Sequence, residues 1–233
     1  MKKLLFLLMF PVLCFGQYTS IPDQSFEHAL IKLGYDDFID GKLLNANINT
    51  VDSLFLDDNL IQDLTGVEAF TALKYLSCSW NAIYSLDVSK NTALTYLDCG
   101  INRLYSLDVS KNTALTGLYC DGNKLTNLDV SQNTALTDLE CDGNKLKNLD
   151  LSQNTALTNL SCGSSKLTSL DLSNNTALTD LDCNDNKLTN LDLSNNTVKK
   201  NSLFGTGLTD LDCDGNKFDC DAIKAKYGLK NNN

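Results

Sequence analysis

A period of 21 residues governs most of this chain. Six consecutive units share the pattern L-x-x-L-x-C-x-x-N-x-[LI]-x-x-L-D-[VL]-S-x-N-T-[AV], and they begin at Leu73, Leu94, Leu115, Leu136, Leu157 and Leu178. The ninth-position asparagine is replaced once, by Ser165. A unit this short cannot enclose a hydrophobic core alone, so its leucines must be buried against neighbouring units. The period therefore predicts a solenoid in which each unit forms one turn.

Two less regular units extend the solenoid. The unit from Val51 to Ala72 is one residue longer than the others and keeps its leucines and Asn59. After Thr197 the pattern degrades, and its positions are filled by Val198, Leu203, Thr206 and Leu208, followed by Leu211, Cys213 and Asn216. We therefore expect about eight turns between residues 51 and 218.

Apolar and polar residues alternate twice in each unit, as in "YLDC" at 96–99 and "SLDV" at 106–109. Alternation is typical of half-buried strands. The chain should be mainly β, a parallel β-solenoid with two short strands per turn.

The solenoid needs caps because its open ends would otherwise pair with other chains. Phe26, Ala29, Leu30 and Leu33 fall at helical spacing, with Asp23 as a helix start and Gly34 as a stop. We expect a helical N-terminal cap at residues 17–50, the solenoid at 51–218, and a C-terminal cap and tail at 219–233.

The repeated pattern resembles the leucine-rich repeat signature, in the nested 21-residue bacterial form called IRREKO-type. This resemblance covers about residues 51–218. It implies an internalin-like protein that binds its partner through the variable, exposed face of the first strand of each turn.

Residues 1–16 are typical of a secretory signal peptide, with Lys2 and Lys3 before an apolar run and cleavage near Gly16. Lipidation at Cys14 ranks second, since Leu13 is bulky where such signals have a small residue. Cleavage would shift the net charge from −10 to −12, because the removed part holds two lysines and no acid. We therefore expect a secreted or cell-surface protein, without nucleic acid as a partner and without membrane insertion.

Six cysteines share the sixth position of the repeat: Cys78, Cys99, Cys120, Cys141, Cys162 and Cys183. Stacked strands would hold their Cβ atoms roughly 4.8 Å apart with parallel directions, whereas a disulfide needs about 3.8 Å and converging directions. We expect a column of buried free thiols. Cys213 and Cys220 lie where the register breaks, and a disulfide between them is the open alternative.

Three further columns are interpreted as structural. Two columns of asparagines stand where the backbone leaves a strand, and their amides can pair with turn groups. The column of aspartates that begins at Asp87 should be offset by neighbouring serines and lysines, and a cation along the column is the second alternative.

The sequence contains no strong motif for a metal site or for an active site. Asp210, Asp212, Asp214 and Asp221 follow calcium-loop spacing, but the repeat itself generates the start of that string. No cofactor is expected, with calcium as a weaker alternative. The single histidine, His28, lies in the predicted cap helix, so no serine or cysteine of the repeats has a histidine from the repeats to activate it. We therefore expect no enzyme.

The variable strand positions form a graded surface from aromatic to acidic. The predicted ligand-binding face comprises Tyr75, Trp80, Tyr96, Ile101, Tyr119, Asp138, Glu140, Asp180 and Asp182. Exposed aromatic residues are frequent where proteins bind partners. The leading hypothesis is a non-catalytic module for protein interaction and adhesion. The alternatives are a glycan-binding adhesion module that uses the aromatic strip, and a passive structural rod.

Overall fold

An eight-stranded parallel sheet runs through the repeats in strict sequence order. The structure is a computed structural model that describes residues 18–197 and 207–229. Each turn contributes one three-residue strand: β3 Ser53–Phe55, β4 Tyr75–Ser77, β5 Tyr96–Asp98, β6 Gly117–Tyr119, β7 Asp138–Glu140, β8 Asn159–Ser161, β9 Asp180–Asp182 and β10 Asp210–Asp212. The predicted fold class, a parallel β-solenoid of leucine-rich repeat type, is confirmed.

Leucines and cysteines fill the interior of the coil. The central leucines of adjacent strands pair in register, for example Leu97 with Leu118, and both are fully buried. The six column cysteines are also fully buried and unpaired. Burial raises the pKa of their thiols, to about 12 for Cys183, so they stay protonated and pack as small apolar groups.

The second half of each turn is not a strand, so the expectation of two strands per turn was wrong. The alternation is present, since Leu86 and Val88 are buried and Asp87 is exposed. However, the backbone N–H of Ser89 donates to Asp87 Oδ1 at 2.8 Å. This local turn, repeated at each aspartate of the column, takes up a donor that a second ladder would require.

The ninth-position asparagines link successive turns. In Asn123, Oδ1 accepts from the buried N–H of Leu104 at 2.9 Å. Its Nδ2 donates to the carbonyls of Cys99, Cys120 and Asp121 at 3.0, 3.2 and 3.1 Å. These contacts agree with the predicted structural role of the column, because they provide partners for backbone N–H and C=O groups that lie beyond the ends of the strands.

The second asparagine column is less completely bonded. Asn133 Nδ2 donates to the carbonyls of Val109 and Asn112 at 3.0 and 2.9 Å. The Oδ1 atom of Asn133 is buried without a partner, as it is in the other five members of this column. These side chains therefore act only as donors to the preceding turn.

The N-terminal cap contains the predicted helix and an antiparallel strand pair that was not expected. Helix α1 spans Gln24–Lys32, and Asp23 caps it by accepting from Phe26 N at 2.9 Å. Strands β1 (Tyr18–Ser20) and β2 (Lys42–Leu44) pair beside it. The buried carboxylate of Glu27 accepts backbone N–H groups of residues 40–42, which ties the connecting loop to α1.

The C-terminal end is closed by helix α2 (Cys220–Tyr227) and by a disulfide between Cys213 and Cys220. The hydroxyl of Tyr227 donates to Asp192 Oδ1 at 2.8 Å, which ties α2 to the last regular turn.

Some predictions fall outside the described residues. They are the signal peptide, the positions of Val198, Leu203 and Thr206, and the last four residues of the predicted tail. Within residues 18–197 and 207–229, no helix is both long and apolar enough to cross a membrane.

Candidate binding face

The outward side chains of the parallel sheet form one continuous surface, here called the sheet face. The first and third residues of each strand point away from the core and flank the buried central leucine. All nine predicted ligand-binding residues lie on these strands or in the turn that follows them. The structure thus brings them to one side of the solenoid.

Four rings form an aromatic ladder along the early strands: Phe55, Tyr75, Tyr96 and Tyr119. Ring centroids lie 5.1 Å apart for the first pair, 4.1 Å for the second and 5.0 Å for the third. The two rings of Tyr75 and Tyr96 are stacked within 5° of parallel. Such contacts fix the rings, so the ladder is a preorganised surface.

Gly117 permits the ladder to continue across β6. A Cβ atom at this position would lie 3.1 Å from Tyr119 Cε2 and 3.2 Å from Tyr96 Cδ2. Sequence analysis missed both Gly117 and Phe55. For Gly117 the signal was a glycine within the strand pattern. For Phe55 it was an apolar residue at an outward position of the strand.

Trp80 and Ile101 adopt a left-handed backbone with φ of 55° and 50°. In the same register of later turns stand Gly122 and Gly143, with φ of 59° and 60°. A β-branched or bulky residue in this conformation is strained by roughly 1–2 kcal/mol. Trp80 is also 65% exposed and Ile101 37% exposed, so neither gains full burial in return.

An acidic cleft of about 520 Å³ follows the ladder along the later strands. Its carboxylates come from Asp138, Glu140, Asp180, Asp182, Asp210, Asp212 and Asp214. Tyr119 lies at one side of the cleft, and Lys224 from α2 also lines it. Lys224 was missed by sequence analysis because only the folded chain brings α2 to this surface.

Burial and mutual repulsion raise the pKa of several carboxyls on the sheet face. Desolvation is the main cause for Asp98, Glu140 and Asp182, and neighbouring carboxylates add to it. The ionised form of these carboxyls is therefore less stable than that of a free carboxyl.

The aspartates on the far side of each turn behave differently. Serine donors hold the pKa of Asp129, Asp150 and Asp171 below its usual range, with the backbone N–H of the serine as the main cause. These aspartates therefore have a structural role, as expected from the serines beside them.

Three of the candidate calcium residues, Asp210, Asp212 and Asp214, line the cleft, and the fourth, Asp221, lies in the first turn of α2. In the described part of the chain, no three His, Cys, Asp or Glu side chains are grouped so that they could hold a metal ion. A calcium site stays a prediction of the sequence alone.

Comparison with known proteins identifies structural relatives. No family model and no curated protein sequence matches the chain. The functional domain of InlJ from Listeria monocytogenes, described as including a cysteine ladder, is 38% identical with a TM-score of 0.69. The match covers 86% of this chain and 48% of that one, so the chain spans about half its length.

Two further structures share the fold. Internalin C2 from Listeria monocytogenes is 22% identical with a TM-score of 0.73, over 87% of this chain and 90% of that one. The leucine-rich repeat ectodomain of the Arabidopsis thaliana receptor kinase GASSHO1/SCHENGEN3, in complex with Casparian strip integrity factor 2, is 22% identical. Its TM-score is 0.64, over 73% of this chain and 22% of that one. The repeat pattern, the sheet and the likeness to the InlJ domain identify the chain as an internalin-like leucine-rich repeat protein.

Proposed function

We propose that this chain is a secreted or cell-surface adhesion module that binds a protein partner through its sheet face. In this proposal the solenoid of residues 51–218 carries the binding surface, and the segments 17–50 and 219–233 cap it.

The observation that carries the proposal is the strained, exposed pair Trp80 and Ile101. Glycine or a small polar residue occupies their register in other turns, as with Gly122, Ser164 and Asp185, so the fold itself does not require large apolar residues there. Residues held in an unfavourable conformation and left exposed are characteristic of functional surfaces. Tryptophan is among the residues that contribute most binding energy at the centres of protein interfaces.

The ladder favours a protein partner over a glycan. A sugar stacks on the flat face of an aromatic ring, but the facing sides of Tyr75 and Tyr96 are covered by each other. Ring edges and hydroxyl groups remain available, and these suit apolar and hydrogen-bonding protein side chains. Trp80, which is 65% exposed and stacks on no other ring among the described residues, keeps a ring face for the glycan alternative.

The disulfide supports an exported location. Disulfide bonds persist in oxidising compartments and are rare in the cytosol. The Cys213–Cys220 bond therefore agrees with the signal-peptide pattern of residues 1–16.

The test is a binding comparison between matched surface variants. Proteins of a cell surface are captured by cross-linking to residues 17–233, identified and purified. The affinity of each purified protein is then measured for the wild-type chain and for Trp80→Gly/Ile101→Gly. Both glycines fit the left-handed backbone, so the variant should fold. Tyr105→Ala removes a 57% exposed aromatic outside the sheet face and is the control.

The expected result is binding at least roughly tenfold weaker for the double glycine variant, with the control unchanged. Equal affinity for all three proteins would refute the proposal. Capture that survives proteolysis of the target surface but is lost after glycosidase treatment would replace it with the glycan alternative.

A further inference from the structure

The acidic cleft lies across five neighbouring strands. Its lining residues come from β6 to β10, with Tyr119 from β6 and the last carboxylates from β10. Four strand spacings of about 4.8 Å give a length of roughly 19 Å. An extended peptide of about six residues has this length at roughly 3.3 Å per residue.

The carboxylates of the cleft have neutral donors. Thr137 Oγ1 donates to Asp138 Oδ2 and Thr179 Oγ1 donates to Asp180 Oδ2, each at 2.6 Å. Asn184 Nδ2 lies 3.4 Å from carboxylate oxygens of both Asp182 and Asp212. None of these donors neutralises a charge.

Like charges also face one another across the strands. Asp182 pairs in register with Asp212, and such opposed carboxylates destabilise a sheet. Among the described residues, no lysine or arginine forms an ion pair with either of them. A bound cationic group would relieve this repulsion.

Lys224 supplies an independent observation at the same cleft. Its side chain is 93% buried, with 7% of its surface exposed, and it lines the cleft from α2. Within the described residues its ammonium has no hydrogen bond or ion pair. A carboxylate from a ligand would supply the partner that this ammonium lacks among the described residues.

We propose that the cleft binds an extended protein segment rich in lysine or arginine, with a carboxylate of that segment, such as a free C-terminus, paired to Lys224. The cationic side chains lie over the carboxylates of β7, β9 and β10, and Tyr119 offers a ring face to one of them. This inference rests on the proposed function, since it names the chemistry of the protein partner. In the described part of the chain no three potential ligands are grouped to hold a metal ion, so a peptide is the occupant proposed.

The test uses three labelled octapeptides in fluorescence anisotropy titrations with residues 17–233: octalysine with a free C-terminus, octalysine amide and octaglutamate. Glu140→Gln/Asp182→Asn removes two charges from the cleft. Asp150→Asn/Asp171→Asn removes two charges from the far side and is the matched control. Thermal midpoints confirm that each variant is folded.

We expect free octalysine to bind, octaglutamate not to bind, and the cleft variant to bind octalysine roughly tenfold more weakly than the control does. Raising the salt concentration should weaken binding, since the contacts are charged. Lys224→Met keeps the buried stem and removes the charge. It should abolish the preference for the free carboxylate over the amide.

An equal loss of octalysine affinity in the cleft variant and the far-side control would overturn the inference. The net negative charge of the protein alone would then explain the binding. A preference for the free carboxylate that persists in Lys224→Met would overturn the role of Lys224. Trp80→Gly/Ile101→Gly should leave octalysine binding unchanged. Failure of the proposed function therefore appears in the partner capture experiment, whereas failure of this inference appears in the peptide titrations.

Discussion

Ser165 interrupts the ninth-position asparagine column, and restoring the asparagine should stabilise the protein. In the preceding turn, Asn144 Oδ1 accepts from Leu125 N at 2.9 Å, and its Nδ2 donates to the carbonyls of Cys120 and Cys141, both at 3.0 Å. Ser165 Oγ is buried without a partner.

The size of the effect follows from the groups involved. Among the described residues, the N–H of Leu146 has no acceptor at Ser165 that corresponds to Asn144, and an unsatisfied buried donor costs about 1–3 kcal/mol. Restored donation to backbone carbonyls adds about 1 kcal/mol, and ordering the longer side chain opposes the gain by about 1 kcal/mol. Ser165→Asn should therefore raise the free energy of unfolding by about 2 kcal/mol.

The assay is urea unfolding followed by circular dichroism, with Asn144→Ser as the reciprocal variant. The midpoint should rise for Ser165→Asn and fall for Asn144→Ser by a similar amount, since the same chemistry is exchanged in adjacent turns. An unchanged or lowered midpoint for Ser165→Asn would refute the hydrogen-bond account of this column.

Three more predictions concern the core and its charges. Asn123→Ala should cost more unfolding free energy than Asn133→Ala, by about 1–2 kcal/mol in urea unfolding, because only Asn123 accepts from a buried N–H. Lowering the pH from 7 to about 5 should raise the thermal midpoint. The pKa of Asp182 is raised in the folded state, so its contribution to stability is lost as the pH rises through that value, and Asp182→Asn should flatten the rise. Thiol titration of denatured, unreduced residues 17–233 should find six free thiols, with the Cys213–Cys220 pair unreactive.

Repeated positions could be predicted because each one has the same surroundings in every turn. The 21-residue spacing alone places Leu97 and Leu118 side by side in the core, as the structure has them. The absence of a second strand could not be predicted from alternation, since alternation reports which side chains are buried. In the structure the N–H of Ser89 donates to Asp87 within its own turn, and alternation does not distinguish this bond from a ladder bond.

The residues of the binding face could be predicted from the repeat, but its strained backbone and the position of Lys224 were not predicted. The glycines Gly122 and Gly143 in the register of Trp80 and Ile101 were a signal of left-handed backbone that sequence analysis did not use. Lys224 lies outside the repeats, and nothing in the period places it beside the acidic strands. Its position depends on how α2 packs against the end of the solenoid.

Site-specific photocross-linking to a purified, captured partner tests most directly whether the sheet face binds protein. A benzophenone amino acid replaces Asn159, which is exposed on β8 at the cleft, or Asn148, which is exposed in the second half of its turn. The account predicts a cross-linked product from position 159 and little from position 148. Equal products from both positions, or a product from position 148 alone, would contradict it.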